Sequence, residues 1–412
     1  MTRPLGLFEG FGIEIEYMIV DAERLDVLPV ADDVIRAAAG SYVNGVERGD
    51  LAWSNELALH VIEMKTNGPA PALGPLPKLF QEGIDDVNRS LEKLGGCLMP
   101  TAMHPWMDPF TETRLWPHEY NPIYEAYDRI FDCRGHGWSN LQSMHVNLPF
   151  DSEESFTRLH AAIRAALPML PMLAASSPFA DGRAQRSRDY RMQVYRNNAR
   201  RIPSIAGRIV PEAVSGIADY HERILAPMYA DIAPHDPDDI LREEWLNSRG
   251  AIARFDRDAI EIRVLDTQEC PRADIAVAAA VTALVRDLAF ERYTGIDDLM
   301  ALDTDRLARL FLAAVDAGEG AIIDDRAYLG TLGLARFGEL RGGQAWSRLI
   351  ERYPPDDAGL HGPLENILRH GTLATRLLRA AGEDADRARL RALYARLCRC
   401  LPDDTLFRAE NG

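Results

Sequence analysis

Cysteine is scarce in this chain of 412 residues: Cys97, Cys133, Cys270, Cys398 and Cys400 are odd in number and scattered. Such a set excludes a disulfide framework, and its one close pair, Cys398 and Cys400, lacks the spacing of a structural zinc site. Long apolar runs are missing too. No stretch reaches the roughly 18 uninterrupted apolar residues of a membrane span, and the opening MTRPLGLFEGFGIEIEY has no signal-peptide core. A cytoplasmic protein without a membrane partner is the expectation. Positive charge is also short. Lys and Arg number 46 against 63 Asp and Glu, a net charge of −17, the wrong sign for gripping a phosphate backbone, so nucleic acid is not expected as a partner. Internal repeats, low-complexity tracts, a Gly/Ser linker and a glycine-rich phosphate loop ending in Lys-Ser or Lys-Thr are all missing. What is present, 47% hydrophobic and 26% charged residues, is the balance of a globular protein with a sizeable core.

The first two thirds mix strand and helix signals. FGIEIEYMIV alternates with period two, ADDVIRAAAG reads as a short helix closed by Gly40, and ALHVIEMKT alternates again. PLPKLFQEGIDDVNRSLEKLGG starts on prolines, gathers Leu79, Ile84, Val87, Leu91 and Leu94 on one side, and stops at Gly95-Gly96, the pattern of a long helix. CLMPTAM returns to strand, and a polar, aromatic segment around WPHEYNPIYEAYDRIFD follows. SNLQSMHVNLPF alternates, and residues 152–175 read as a helix rich in Ala and Leu. The Arg-dense stretch SSPFADGRAQRSRDYRMQVYRNNARR, set in an acidic protein, suggests an anionic ligand. REEWLNSRGAIARFD and AIEIRVLD read as two strands joined around Asp256 to Asp258. From Ala273 onward the spacing predicts helices, including residues 304–318, 344–353, 364–381 and 384–401.

Four of the strands carry chemistry on one face. In Gly12-Ile13-Glu14-Ile15-Glu16-Tyr17, Ile13, Ile15 and Tyr17 share one side, and Glu14 and Glu16 share the other, about 7 Å apart. Two carboxylates that close repel unless a cation or an Arg compensates them, so the pair suits Mg²⁺ or Mn²⁺, although a solvated strand face reads the same way. Glu63 is less easily dismissed, because it shares parity with Leu57, Leu59 and Val61. A carboxylate on an apolar row must be paired, bulged out or bound to a cation. Glu56, just upstream, is a candidate for the same site. On SMHVNLPF, His145 and Asn147 project together, opposite Met144, Val146 and Leu148. On AIEIRVLD, Glu261 and Arg263 stand together, opposite Ile260, Ile262 and Val264. A carboxylate for metal beside a guanidinium for phosphate matches phosphoryl-transfer electrostatics, while a plain Glu-Arg salt bridge is the alternative for one such pair alone.

Together these motifs resemble the glutamate-cysteine ligase family, in particular the bacterial family-two and plant-like carboxylate-amine ligases. The likeness spans residues 10 to about 290. It rests on GIEIEY, ELALHVIEMKT, SMHVNLPF, SSPFADGR followed by DYR, and AIEIRVLDTQECPRADIAV, in that order. It implies an α+β fold similar to glutamine synthetase: a curved antiparallel β-sheet with helices packed on one face and a helical C-terminal layer. Residues 1–290 would form the catalytic sheet core with inserted helices, and residues 291–412 a helical region packed on it. The resemblance further implies ATP and Mg²⁺, with Mn²⁺ as a second choice of ion. Metal ligands would be Glu14, Glu16, Glu56, Glu63 and Glu261, with His145 as a further ligand or nucleotide contact. Asn147 and Arg183 would belong to the nucleotide side, and Arg263 and Arg191 would face phosphates or the substrate carboxylate. The family-two pattern has a second His where this chain has Asn147.

The activity so implied joins a glutamate-like carboxylate to an amine, cysteine or another, through an acyl phosphate, as in glutathione biosynthesis. The competing readings are a guanidino or amino-acid kinase of similar fold and a catalytically idle nucleotide-binding homologue. A homo-oligomer built through the helical third is compatible with the sequence.

Overall fold

The computed structural model describes residues 3–382 and 385–409. Its strands are β1 (Gly12–Asp21), β2 (Gly45–Arg48), β3 (Leu51–Asn55), β4 (Val61–Thr66), β5 (Gly96–Met99), β6 (Ser143–Pro149), a small hairpin of β7 (Phe179–Ala180) and β8 (Arg183–Ala184), then β9 (Ala251–Arg254), β10 (Ala259–Asp266) and a second small pair, β11 (Ile322–Ile323) and β12 (Leu340–Arg341). Eight of them form one antiparallel sheet in the order β2-β3-β4-β1-β6-β10-β9, with β5 paired to the far half of β1. The four strands with chemistry on one face, β4, β1, β6 and β10, are therefore consecutive neighbours.

Period-two alternation decides which face is which. Ile13, Ile15, Tyr17 and Ile19 are wholly buried, as are Met144, Val146 and Leu148 on β6 and Ile260, Ile262 and Val264 on β10. Each such side chain contributes about 1.5–3 kcal/mol by leaving water. A one-residue slip of register would send Glu14 and Glu16 into that core, so the pairing is strongly specified. At Gly12 the strands approach closely: a Cβ there would lie 2.9 Å from Cβ of its register partner Asn147. Glycine is the residue that fits.

Helices Leu76–Glu92, Glu153–Ala166 and Pro271–Ala289 share the main buried cluster with the sheet. Leu76–Glu92 enters on prolines and buries Phe80, Ile84, Val87 and Leu91. Leu79 is only partly buried, and Leu94, expected on the same side, lies past the helix end and is exposed. Ala31–Ala39 closes at Gly40, whose φ of 86° is left-handed. The aromatic segment holds an additional helix, Asn121–Phe131. The helix expected over 152–175 stops at Ala166 and resumes as short turns, because Pro168 and Pro171 cannot donate within it. The segment 364–381 is likewise two helices, His361–His370 and Leu373–Ala381, separated at the positive-φ Gly371.

Strand β4 begins at Val61 rather than upstream. Leu57 and Leu59 therefore do not share a strand with Glu63; Leu57 and Ala58 cover Val61 together with Cys133 as a small separate cluster. After residue 291, Thr304–Ala317, Gly342–Arg352 and His361–His370 join the main cluster. Leu373–Ala381 and Arg387–Cys400 pack with Met18, Val20, Met99 and Trp106 in a second one.

Three buried histidines, His60, His104 and His160, make the fold acid-sensitive, the last two most strongly. The His104 ring accepts from the backbone amide of Met107 through Nδ1 at 2.9 Å and contacts the Leu25 carbonyl through Nε2 at 2.7 Å, which requires the neutral ring. Burial holds both His104 and His160 down at about 3, with the charge of Arg164 adding to the effect at His160. An unfolded His takes its proton near pH 6.5, so between that pH and about 3 the unfolded chain binds more protons. Stability is then full above pH 6.5 and falls by about 1.4 kcal/mol per pH unit for each histidine as pH drops. Urea unfolding of His160→Leu between pH 6.5 and 5 should show a slope shallower by about that amount; an unchanged slope would remove His160 from the account.

Candidate functional site

The polar face of the four central strands floors a hollow of about 230 Å³. Cross-strand register sets Glu14 against His145 on one side and Lys65 on the other, Glu16 against Glu63, and Glu63 against Ser54. Glu56, from the connection between β3 and β4, faces the same space, and Tyr120 and Tyr124 stand at its side. A larger cleft of about 750 Å³ opens on the helical side of the molecule. The smaller hollow is the candidate for catalysis because the carboxylates, histidine and arginines converge there.

Its negative half divides into two groups whose ligand atoms lie within 4.8 Å of one another: Glu14, Glu63 and His145, and Glu16, Glu56 and Glu63. His145 Nδ1 lies 3.3 Å from Glu14 Oε2, and its Nε2 lies 2.9 Å from Ser143 Oγ. Ser143 also donates its backbone amide to Glu16 Oε2 at 2.7 Å. Asn147 donates to Glu14 Oε1 at 3.1 Å, while its own Oδ1 is buried without a partner. Glu63 accepts from Lys65 Nζ at 2.6 Å and Ser54 Oγ at 2.7 Å, so this carboxylate is a paired one.

The positive half is built on β9, β10 and the turn between them. Arg263 Nε lies 3.0 Å and Arg254 Nη1 3.1 Å from the two oxygens of Glu261, and Arg257 reaches Glu14 at 3.5 Å. Glu261 stands outside both acidic groups, 3.8 Å from His145. It is the seam between the acidic half and the guanidinium groups.

Proton affinities follow this division. Burial and the charge of Glu63 push the Glu16 carboxyl up, and burial with repulsion from Glu16 and Glu63 pushes Glu56 well up. Burial also opposes charge at Glu14, but the hydrogen bond and charge of His145 outweigh it and hold that carboxyl down at about 2. Burial would strip His145 of its proton; its bond to Glu14 and the charges of Glu261 and Glu16 raise it instead. Glu261 is buried, yet Arg263, His145 and Arg254 keep it low. Carboxylate repulsion, and with it the need for a cation if these groups are to be ionised, is thus greatest at Glu16 and Glu56. A cluster of carboxylate oxygens with one imidazole is a hard donor set that fits Mg²⁺ or Mn²⁺.

Of the residues singled out from sequence, Glu14, Glu16, Glu56, Glu63, His145, Glu261 and Arg263 line the hollow. Asn147 sits just behind, bonded to Glu14. Arg191 requires a correction. It is buried, with Nε 2.5 Å from Asp266 and both terminal nitrogens against the Arg263 carbonyl, so it braces the strand that carries Arg263 and is not among the residues lining the hollow. Arg183 is exposed on β8 and is not among the residues lining the hollow. Sequence reasoning missed Lys65, which has the same parity as Glu63, and Arg254, at the end of its strand. It also missed Arg257, Tyr120 and Tyr124, whose places depend on a turn and a helix packed from elsewhere.

In class, the protein has the antiparallel α+β architecture of the glutamine synthetase-like ligases, the fold of glutamate-cysteine ligase. More narrowly, the chain belongs to glutamate-cysteine ligase family 2, whose family model matches residues 10–396. An uncharacterised protein of Archaeoglobus fulgidus is 35% identical over 275 residues, 67% of this chain and 73% of its own length. A protein of Bradyrhizobium sp. with the provisional name glutamate-cysteine ligase 2 is 27% identical over 293 residues, 68% of this chain but 62% of the relative. Among solved structures, glutamate-cysteine ligase of Francisella tularensis in complex with AMP aligns over 94% of this chain and 88% of that one, with a TM-score of 0.56 and 11% identity. At that identity the likeness is one of fold. Among the described residues, no helix is long and apolar enough to cross a membrane.

Proposed function

We propose that this enzyme uses ATP to activate a glutamate-like carboxylate and joins the activated carbon to an amine. The observation that carries the reading is the meeting of an acidic and a guanidinium-rich half at Glu261. Family membership and the AMP bound by the Francisella fold neighbour support a nucleotide in this hollow.

Glu14, Glu63 and His145, with Glu16 and Glu56, would hold Mg²⁺ or Mn²⁺. When bound, such ions neutralise phosphate oxygens and polarise the transferring phosphoryl group. Arg263, Arg254 and Arg257 offer planar donors to the remaining phosphate oxygens and to the substrate carboxylate. Glu261 fixes two of those guanidinium groups, so little reorganisation is needed as charge develops. In the first step a carboxylate oxygen attacks the γ-phosphorus, the bond to the bridging oxygen breaks, and ADP leaves. In the second, the amine nitrogen attacks the acyl carbon, phosphate departs and a proton is released.

The test is stoichiometric. Purified enzyme with Mg-ATP, L-glutamate and a panel of amines should release phosphate only when carboxylate and amine are both present, with an amide product of matching mass. A stable phosphorylated product would indicate a kinase instead, and tight ATP binding without turnover across the panel would indicate an idle homologue.

A further inference from the structure

The large cleft on the helical side is not used by this chemistry, yet it has the construction of a ligand site. Its floor is one face of helix Pro271–Ala289, where small Ala279 and Ala283 leave room between Thr282 and Arg286. Thr282 is 3% exposed, and its hydroxyl is buried without a hydrogen-bond partner. An unmet hydroxyl in such a place is costly and calls for a partner. Arg286, one helical turn further on and so about 6 Å away on the same face, has no carboxylate paired with it among the described residues. Its guanidinium is instead held against the ring of Phe8, 5.3 Å from the centroid. Phe8 reaches that place with φ of 62°, a conformation that bulky residues rarely adopt. Asp356, which also lines the cleft, is exposed and likewise has no cationic partner among the described residues.

A guanidinium and a carboxylate that line one cleft, joined neither to each other nor to another opposite charge among the described residues, leave room for a molecule carrying both charges. Phe8, Phe11 and the proline-lined walls supply apolar surface between them. A volume of about 750 Å³ lies within the usual 300–1,000 Å³ range of small-molecule sites. We propose that this cleft is a second binding site, for a small zwitterion with an apolar body, of amino-acid or dipeptide size. The carboxylate would take Arg286 and the Thr282 hydroxyl, the ammonium would face Asp356, and the apolar part would lie on Phe8 and Phe11. The inference stands on its own residues and does not depend on the ligase reading.

Calorimetric titration of the full chain without nucleotide tests it, using L-phenylalanine, L-methionine and glycyl-L-phenylalanine as probes. At least one should bind saturably with Kd below about 1 mM. Arg286→Met, Thr282→Val and the surface change Asp356→Asn should each weaken it about tenfold or more, while Glu261→Gln leaves it within about twofold. The Thr and Asp changes are near-isosteric, so lost binding in them is not a folding failure, and thermal unfolding confirms this. No saturable binding up to about 10 mM would overturn the proposal. So would loss in Glu261→Gln with retention in Arg286→Met, which moves the ligand to the catalytic hollow. Equal affinity for 3-phenylpropionate, which lacks the ammonium, would overturn the zwitterion assignment.

Discussion

Glu261→Gln should lower ATP-dependent amide formation by about 100-fold or more, equivalent to roughly 2.7 kcal/mol of lost transition-state stabilisation. The change keeps the shape of the side chain and removes its charge. Arg263 and Arg254 then lose the counter-charge that holds them at 3.0 and 3.1 Å, and His145 loses one of the carboxylates that raise its proton affinity. Because the arginines act on developing phosphate charge, the loss should fall mainly on kcat, with KM for ATP changing less. Arg191→Met offers the contrast. It removes a brace behind Arg263 and strands Asp266, so it should lower stability and activity together. Initial rates with unfolding curves on the same preparations separate the two cases. Full turnover of Glu261→Gln would sink the role given to the seam.

A second large effect concerns the attachment of the C-terminal helices. Arg376, on helix Leu373–Ala381, is wholly buried against Glu269, which follows β10 and leads into helix Pro271–Ala289. The contact is bidentate, with Nη2 at 3.2 Å from Oε2, and Nη1 also donates to the Phe407 carbonyl at 2.7 Å. Arg376→Met would leave Glu269 buried and unpaired, at a cost of about 3–5 kcal/mol in unfolding free energy. Replacing both partners, Arg376→Met with Glu269→Leu, should recover most of that loss, since two apolar groups of similar volume leave no stranded charge. Urea unfolding of the single and double variants checks it. A double variant no more stable than the single would show that packing, rather than the stranded carboxylate, carries the effect.

The alternation of β1, β6 and β10 was legible residue by residue, because a strand turns its side chains over with period two whatever its neighbours are. Gly40 and the prolines before Leu76 marked helix ends for equally local reasons. Legibility failed where the backbone left the regular pattern. Strand β4 starts only at Val61, so the apolar row assigned to Glu63 was shorter than its parity suggested, and two helices broke at Pro168, Pro171 and Gly371.

The acidic face itself, Glu14 and Glu16 with Glu63, His145 and the Glu261-Arg263 pair, was thus written in the sequence. Which charges meet across it was not. That β4, β1, β6 and β10 lie side by side, that Lys65 neutralises Glu63, that Arg254 and Arg257 come round a turn to Glu261 and Glu14, and that Arg191 is spent on Asp266 are all consequences of strand order and register. Local periodicity fixes which way a side chain points, but electrostatic partners are chosen through space. Residues far apart in the chain, such as Glu14 and Arg257, become neighbours only when the sheet closes its pairing.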